Sequence, residues 1–462
     1  MILINKKRGG FTLIEAMVVV FIVVVTAVTF YSVFTLGVKH IVDSKNRLGA
    51  TALANEKMEI IKNLDYENIG TKKEVSPGSY VYGIPVGDIL EEETIIRNNR
   101  EYYVHTLVQY VDDLYDGMED GSPDDDIPTD YKRVRIEVAW SPEAETNKSI
   151  SLTGTFIPSG IEKAEEGGTL SVNVINNEGL GIPQALVHIY NSDAGIDINT
   201  STDDTGNIIF PGAPAGEQNY ALEISKSGYY SMQTYAPYPT SYFYPSDVHA
   251  SVVEGRLNVK SIMTDKISDL TLKAKDLFGN SIASLGFDIK GGKKLGDTAT
   301  DPSESIYVLD QTTSFDANGE KSFSSLSFGV YFFNPQSSDD YYFMKLDNDQ
   351  MEANQIDLPP DNNLEVGAIY ADKNINSVLV QLIDEDSGWL VSDATVKLKK
   401  DDIGFSTELV SDKYGQAFFP TSLPELESGE YQLTVEMAGY KSVSKTINVD
   451  KFVIEETKMI EE

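Results

Sequence analysis

The longest apolar run of the chain lies close to its N-terminus. Residues 16–38 carry no charged side chain, and a helix of that length measures roughly 35 Å, enough to cross the hydrocarbon core of a bilayer. Lys6, Lys7 and Arg8 precede the run, and the positive-inside rule keeps such residues in the cytoplasm. The pattern predicts one membrane crossing that leaves everything after Val38 outside.

The helix is predicted to continue beyond the membrane. Residues 39–64 contain no proline, and their apolar positions recur at helical spacing among charged neighbours. We therefore expect one helix over residues 11–64, whose second half lies against a folded domain. The apolar positions are Ile41, Leu48, Ala52, Leu53, Ile60, Ile61 and Leu64.

Alternation typical of strands replaces the helical pattern over residues 65–160. An antiparallel sheet packed on the helix would bury the apolar faces of both elements. We therefore predict an α+β head in this region. Its expected strands are Glu93–Ile96, Glu101–Tyr110, Lys132–Trp140 and Ser149–Phe156.

Three strand-rich repeats follow a polar, glycine-containing linker around residues 159–168. Ala185 and Gly206 in the first repeat have the same separation as Ala394 and Gly415 in the last, which indicates an internal repeat. The middle repeat is weaker and carries an insertion around Gly291 to Thr313. The pattern predicts a mainly β fold with a long N-terminal α-helix. The repeats are expected at residues 168–258, 267–370 and 375–454.

A short motif stands directly before the apolar run. Gly9-Gly10 is followed by Phe11-Thr12-Leu13-Ile14-Glu15. A secretory signal would have a shorter apolar region and a small-residue cleavage site. A plain anchor would leave the ionisable Glu15 at the membrane boundary unexplained. The order of basic leader, glycine, phenylalanine and glutamate resembles the precursors of the type IV pilin family.

This resemblance implies that residues 1–10 are a leader peptide. A prepilin peptidase would cut between Gly10 and Phe11 and methylate the new amine of Phe11. Glu15 would face an amine of a neighbouring pilin subunit, so that the two charges offset each other's desolvation. The partners implied are the peptidase, other pilin subunits through the N-terminal helix, and the membrane. The protein would span the membrane once before assembly and lie in a cell-surface filament afterwards.

The repeats resemble a second group of proteins. Their alternation, Asp-x-x-Gly turns and Gly-Tyr pairs are similar to those of the carboxypeptidase regulatory-like, transthyretin-like family and of Cna B-type stalk domains. The two resemblances together imply a pilin-like α+β head followed by three immunoglobulin- or transthyretin-like β-sandwich units. Some stalk domains form isopeptide bonds between Lys and Asn. The first strands of the outer repeats, Val172–Ile175 and Val378–Leu382, contain no lysine, so no such bond is expected there.

Composition narrows the functional classes. The 462 residues include no cysteine and 72 acidic against 37 basic side chains, for a formal charge of −35. Disulfides and thiolate metal sites are excluded. The acidity argues against a nucleic-acid partner, which requires clustered Lys and Arg. No hydrolase or phosphate-binding motif occurs, so we predict no enzymatic activity. The histidines are scattered: His40, His105, His188 and His249.

An acidic segment lies between two predicted strands of the head. Clustered carboxylates suit calcium, which takes about six to eight oxygen ligands, but Met118 falls at a ligand position of an EF-hand loop. The alternative, which the sequence favours, is a solvated acidic hairpin loop. Calcium is the single cofactor that the sequence suggests. The candidate ligands are Asp112, Asp113, Asp116, Asp120, Asp124, Asp126 and Asp130.

A tyrosine- and proline-rich stretch spans residues 229–245. Stiff, tyrosine-rich loops make amphipathic surfaces that contact a glycan or protein ligand. The alternative, a connector whose rings pack between two sandwiches, is favoured because tyrosine is ordinarily half buried. The candidate recognition residues are Tyr235, Tyr238, Tyr242 and Tyr244.

These features predict a minor type IV pilin at or near a filament tip, which presents its sandwich units for adhesion or surface interaction. The bulk of the units favours the tip, where subunit packing leaves the most room. Two alternatives stay open. One is a pseudopilin of a type II secretion apparatus, and the other is a membrane-anchored surface binding protein that never polymerises.

The processing hypothesis predicts a defined mature N-terminus. Mass spectrometry of the protein from cells that contain a prepilin peptidase should find N-methylated Phe11 as the first residue, because the leader is removed after Gly10. Cells without the peptidase should retain residues 1–10. A mature chain that begins at any other residue would contradict the hypothesis.

Overall fold

The computed structural model describes residues 13–112, 129–141, 148–158, 167–348, 350 and 352–462, and it gives the backbone alone for residues 15 and 16. The predicted leader and most of the predicted linker lie outside this part of the chain.

The two halves of helix α1 (Leu13–Lys62) differ in character. Its N-terminal half exposes large apolar side chains, such as Phe21 and Phe30. Among the described residues it is the one helix long and apolar enough to cross a membrane, with a mean hydropathy of 2.6 in its most apolar window. Its C-terminal half buries residues three or four positions apart, which lie on one face. These are Ala50, Leu53, Ala54, Met58 and Ile61.

Seven described strands after α1 form two sheets of the head. They are β1 (Thr71–Ser76), β2 (Ser79–Tyr82), β3 (Ile89–Leu90), β4 (Glu92–Arg97), β5 (Arg100–Val111), β6 (Tyr131–Ala139) and β7 (Ser149–Phe156). Strands β4 to β7 form an antiparallel sheet in sequence order. Alternate residues of β6 are buried, and Ile136 shares one core with Met58 of α1. Helix and sheet therefore bury their apolar faces against each other.

The sheet formed by β2, β1 and β3 was not predicted. Strands β1 and β2 form a tight hairpin through Pro77 and Gly78, and Gly78 has a φ of 80°, a conformation that favours glycine. A Pro-Gly pair between two short polar strands was the available signal. It was weak because most side chains of both strands are exposed.

The remaining strands build three sandwich units. Unit 1 contains β8 (Gly168–Ile175), β9 (Leu186–Asn191), β10 (Ile196–Ser201), β11 (Asn207–Ala213), β12 (Gly216–Ser225) and β13 (Met232–Gln233) and, after the connector strand β14 (Phe243–Pro245), β15 (Ala250–Val252) and β16 (Leu257–Met263). Unit 2 contains β17 (Ser268–Asp276), β18 (Gly286–Thr298), β19 (Ser305–Ser314), β20 (Glu320–Leu326), β21 (Gly329–Pro335), β22 (Tyr341–Leu346), β23 (Gln355–Leu358) and β24 (Asn363–Asp372). Unit 3 contains β25 (Ser377–Asp384), β26 (Thr395–Lys400), β27 (Phe405–Val410), β28 (Gln416–Phe419), β29 (Gly429–Glu436), β30 (Val443–Val449) and β31 (Phe452–Met459).

The three units share one topology. The first strand of each pairs antiparallel with a middle strand and parallel with the last strand: β8 with β11 and β16, β17 with β20 and β24, and β25 with β28 and β31. The second sheet is built around β9 and β12 in unit 1, β18 and β21 in unit 2, and β26 and β29 in unit 3. A separate apolar core lies between the two sheets of each unit.

One buried tyrosine recurs at the same place in each unit. The hydroxyl of Tyr220 donates to the carbonyl of Pro214 at 2.6 Å, that of Tyr331 to Ser327 at 2.6 Å, and that of Tyr431 to Glu427 at 3.0 Å. A buried phenol needs such a partner. Burial also raises the pKa of Tyr331 to about 12.

The Asp-x-x-Gly turns recur as well. The carboxylates of Asp203, Asp316 and Asp412 each accept bonds from two backbone N–H groups of their own turn. These bonds lower the pKa of Asp316. The glycine that ends each turn has a positive φ, so a larger residue there would be strained.

Neighbouring modules are joined by specific contacts. Between the head and unit 1, Gln109 donates to the carbonyl of Ser201 at 2.5 Å. Between units 1 and 2, strand β14 pairs with β18. Between units 2 and 3, Lys345 forms an ion pair with Asp412, and the hydroxyl of Tyr414 donates to the carbonyl of Gln350 at 2.9 Å. In unit 3 the repeated turn thus also serves as a docking element.

The predicted fold class is confirmed, because a long helix is followed by an α+β head and three β-sandwich units. The insertion predicted in the middle repeat lengthens the hairpin of β18 and β19.

The packing of helix on sheet yields a stability prediction. Replacing Ile136, which is fully buried, by Ala should lower the free energy of unfolding of the head by about 2–5 kcal/mol through lost apolar burial and a cavity. The control Ile96→Ala removes a side chain that is 68% exposed. This control should change the free energy of unfolding by less than about 0.5 kcal/mol.

The head can be followed separately by fluorescence. The chain has two tryptophans, of which Trp140 belongs to the core of the head and Trp389 lies exposed in unit 3. In a Trp389→Phe background, emission from Trp140 reports the head during denaturant unfolding, apart from the other modules. Equal losses for Ile136→Ala and Ile96→Ala would contradict the proposed core.

Candidate functional site

The residues of the predicted processing motif lie at or before the start of the described chain. Gly10 and Phe11 are outside the described residues, and so is the side chain of Glu15. Leu13 and Ile14, which are described, are 78% and 74% exposed. The structure therefore leaves the roles of Gly10, Phe11 and Glu15 as predictions.

The acidic segment is described only at its two ends. Asp112 follows β5, and Asp130, which is buried, precedes β6. The other candidate ligands lie outside the described residues: Asp113, Asp116, Asp120, Asp124 and Asp126. Within the described ranges no group of three or more His, Asp or Glu side chains could hold a metal ion. Calcium binding by the complete segment stays a prediction.

The tyrosine-rich stretch combines a buried anchor with exposed rings. Phe243 in β14 is buried, and its ring lies 5.4 Å from that of Tyr235. The rings of Tyr238 and Tyr244 lie 4.6 Å apart, and both are about half exposed. Tyr242 is 81% exposed. Strand pairing with unit 2 thus fixes the segment while three of the four candidate tyrosines stay accessible.

A cleft of about 1120 Å³ opens between the head, unit 1 and unit 2. Tyr82 and His105 line it from the head, His188 and Glu223 from unit 1, and Leu295 from unit 2. The sequence did not predict this cleft, because its residues come from three modules. The available signal was the alternation along β9, which buries every second residue and turns the others outward.

His188 is held by carboxylates on two sides within the cleft. Its Nε2 lies 2.8 Å from Oδ1 of Asp197, and its Nδ1 lies 3.5 Å from Oε2 of Glu223. On the opposite wall, Nε2 of His105 lies 3.7 Å from Oε1 of Glu91. These side chains remain partly exposed, so they are accessible to a ligand.

Unit 3 carries an exposed residue that the sequence did not single out. Trp389, in the loop between β25 and β26, is 72% exposed, and its neighbour Leu390 is 45% exposed. Tryptophan is enriched among residues that dominate binding energies. The signal was its position directly after Ser387-Gly388, where a strand pattern ends.

The chain as described has a membrane-length apolar helix, an α+β head and a series of β-sandwich units. Residues 5–31 match the model of the prokaryotic N-terminal methylation motif. The protein therefore carries a type IV prepilin-like N-terminus. Residues 409–459, within unit 3, match the model of the PEGA domain. The carboxypeptidase regulatory-like type expected for the repeats stays a prediction.

The chain has no match among the curated proteins. Among solved structures it is similar to the Bacillus anthracis TIE protein, with 13% identity over 85% of this chain and 74% of that chain at a TM-score of 0.20. A streptococcal ancillary pilin has 16% identity over 64% of this chain and 99% of its own, also at 0.20. The shaft pilin SpaA from Lactobacillus rhamnosus GG has 11% identity over 43% and 98%, at 0.17. TM-scores this low carry no inference about function.

Two adjacent rings of the tyrosine-rich stretch, those of Tyr242 and Phe243, are expected to differ in their contribution to stability. Phe243→Ala should lower the free energy of unfolding by about 3–5 kcal/mol, because it empties a buried site. Tyr242→Ala should lower it by less than about 0.5 kcal/mol, because the ring is exposed. Differential scanning calorimetry of the full-length protein in detergent measures both. Similar losses would mean that Tyr242 packs between the units, as the connector alternative predicts.

Proposed function

We propose that this protein is a minor subunit of a type IV filament, placed at or near the tip, where its sandwich units act in adhesion. The observation that carries the proposal is the methylation motif over residues 5–31, joined to a helix with an exposed apolar N-terminal half. A surface of that kind is suited to the bilayer before assembly and to other apolar helices afterwards.

The division of α1 supports a subunit that assembles through its helix alone. The head covers residues of the C-terminal half, from Asn46 onward, and leaves the earlier apolar side chains uncovered. Neighbouring subunits can therefore pack along the first half without displacing the head. Prepilin peptidase, other pilin subunits and the membrane are the partners of this proposal.

The size of the exported part supports a position at the filament end. Three sandwich units follow the head, and a helical filament has most room for such bulk at its tip. The contacts between modules, among them the pairing of β14 with β18, hold the units as a connected series. A series of this kind suits the presentation of a surface at a distance from the cell. The proposed role is non-enzymatic.

A pseudopilin and a monomeric membrane-anchored binding protein are the competing functions. A pseudopilin shares the N-terminal motif and helix but works in the periplasm. A monomeric anchor would have no need of Glu15, because an unpaired carboxylate at the membrane boundary costs free energy. The projecting units favour the filament tip over both.

Replacing Glu15 by Ala tests assembly. Incorporation into sheared filaments should fall by at least about tenfold, because the carboxylate can no longer pair with the amine of a neighbouring subunit. The amount of protein in the membrane should stay unchanged. Glu59→Ala is the matched control, since this exposed glutamate lies in the same helix and forms only a surface ion pair with Lys62 at 3.5 Å.

Immunogold labelling with an antibody against unit 3 locates the subunit. Label at filament ends is the expected result. Label along the whole filament would refute the tip position. Normal incorporation of the Glu15→Ala protein would refute the assembly role of Glu15. Finding the unsubstituted protein only as a membrane monomer, and never in filaments, would refute the filament role.

A further inference from the structure

The floor of the cleft between the head and units 1 and 2 is the outer face of a sheet in unit 1. In the strand register, Asn199 stands opposite His188, His188 opposite Glu223, and Glu223 opposite Gln233. Directly paired residues project on the same face of a sheet. Four polar side chains therefore form one row across β10, β9, β12 and β13, and all four line the cleft. We name them the polar row.

The centre of the polar row, at His188 and Glu223, is held in place before a ligand arrives. Asp197 and Glu223 lie on either side of the imidazole of His188, at 2.8 and 3.5 Å. The opposite face of the same strands is anchored in the core of unit 1, where Ile189 and Leu222 are fully buried. A site with fixed side chains loses less conformational entropy on binding.

Tyrosine rings flank the polar row. Tyr82 enters the cleft from the head, and Tyr230 and Tyr235 enter it from the segment after β12. Tyr82 is 46% exposed, so its ring is available to a ligand. A phenol ring offers an apolar face with a polar edge, which suits the C–H face of a sugar ring.

The chemistry of the row matches hydroxyl groups. The amides of Asn199 and Gln233 both donate and accept, whereas the carboxylates, which His188 positions, accept. A hydroxyl group also donates and accepts, so a chain of hydroxyls can satisfy all of these groups. The volume of about 1120 Å³ exceeds the usual range of about 300–1,000 Å³ for small-ligand sites. The cleft therefore has room for several sugar rings.

The charge of the cleft selects against acidic ligands. Four carboxylates line it, and Lys73 is the single lysine or arginine of its described lining. Lys73 already lies 3.2 Å from Glu92. An anionic group would meet uncompensated negative charge.

We infer that the cleft binds a neutral oligosaccharide through the polar row and the flanking tyrosines. This inference rests on the proposed adhesive function and names the class of its ligand.

Unit 3 offers a natural comparison at the same place in its fold. There Lys397 stands opposite Glu408 and Thr434, and Thr434 stands opposite Ser444. A lysine thus takes the central position that His188 has in unit 1. The outer face of this sheet does not contribute to the cleft. Substitution of Thr434 is therefore a matched control.

The test measures ligand binding by the full-length protein in detergent. Immobilised neutral gluco-, galacto- and manno-oligosaccharides, uronate-containing oligosaccharides and a lysine-rich peptide are offered in parallel. A neutral oligosaccharide should bind, and the affinity should be nearly unchanged between about 0.1 M and about 1 M salt, because no ion pair is involved. Asn199→Ala and His188→Ala should each weaken binding about tenfold. Thr434→Ala should leave binding unchanged.

Glu223→Gln separates hydrogen bonding from charge. The amide keeps the shape and one acceptor oxygen of the carboxylate, so binding of the neutral oligosaccharide should fall less than with Glu223→Ala. The inference would be overturned in favour of a basic protein ligand if the lysine-rich peptide bound best. Its binding would then be weakened by salt and lost equally in Glu223→Gln and Glu223→Ala. Preferred binding of uronates, or no binding at all, would also overturn it. Filament incorporation is scored separately, so a failure here leaves the filament role standing.

Discussion

Each module of this protein holds together by burying one face of a sheet against a second apolar surface. In the head that surface is the C-terminal half of α1, and in the three units it is a second sheet. The chain has no cysteine, so packing replaces disulfides throughout. The first strand of each unit carries much of this burial. In β8, for example, Leu170, Val172 and Val174 are all fully buried.

The same constraint explains which parts of the fold could be predicted. The uninterrupted helix and the alternation in β6 follow directly from local sequence, because each pattern reflects one buried face. The Asp-x-x-Gly turn is equally local, since Asp203 bonds within its own turn. Strand β14 could not be predicted from local sequence. Phe243 follows strands of unit 1 in the chain but pairs with β18 of unit 2. Whether a strand pairs within its own unit or with the next one depends on residues that are distant in the sequence.

The cleft could not be predicted from local sequence either. His105, His188 and Leu295 are far apart in the chain and meet only through the arrangement of three modules. Taken singly, each histidine has the character of a surface residue. The register that aligns His188 with Asn199 and Glu223 needs the pairing of three strands. The N-terminal motif could be recognised because all of its residues lie in one short segment.

The parallel pairing of the first and last strands affects how each unit bears a pulling force. In unit 1, the seven residues Leu257–Met263 of β16 run alongside Thr169–Ile175 of β8. The N-terminus of β8 and the C-terminus of β16 therefore lie at opposite ends of this pair. Tension applied through the chain acts along the strands in opposite directions. The hydrogen bonds between them are sheared together instead of being peeled apart one at a time, and the same geometry recurs in units 2 and 3. Attachment at the far end of the series would thus load every unit in its mechanically resistant direction.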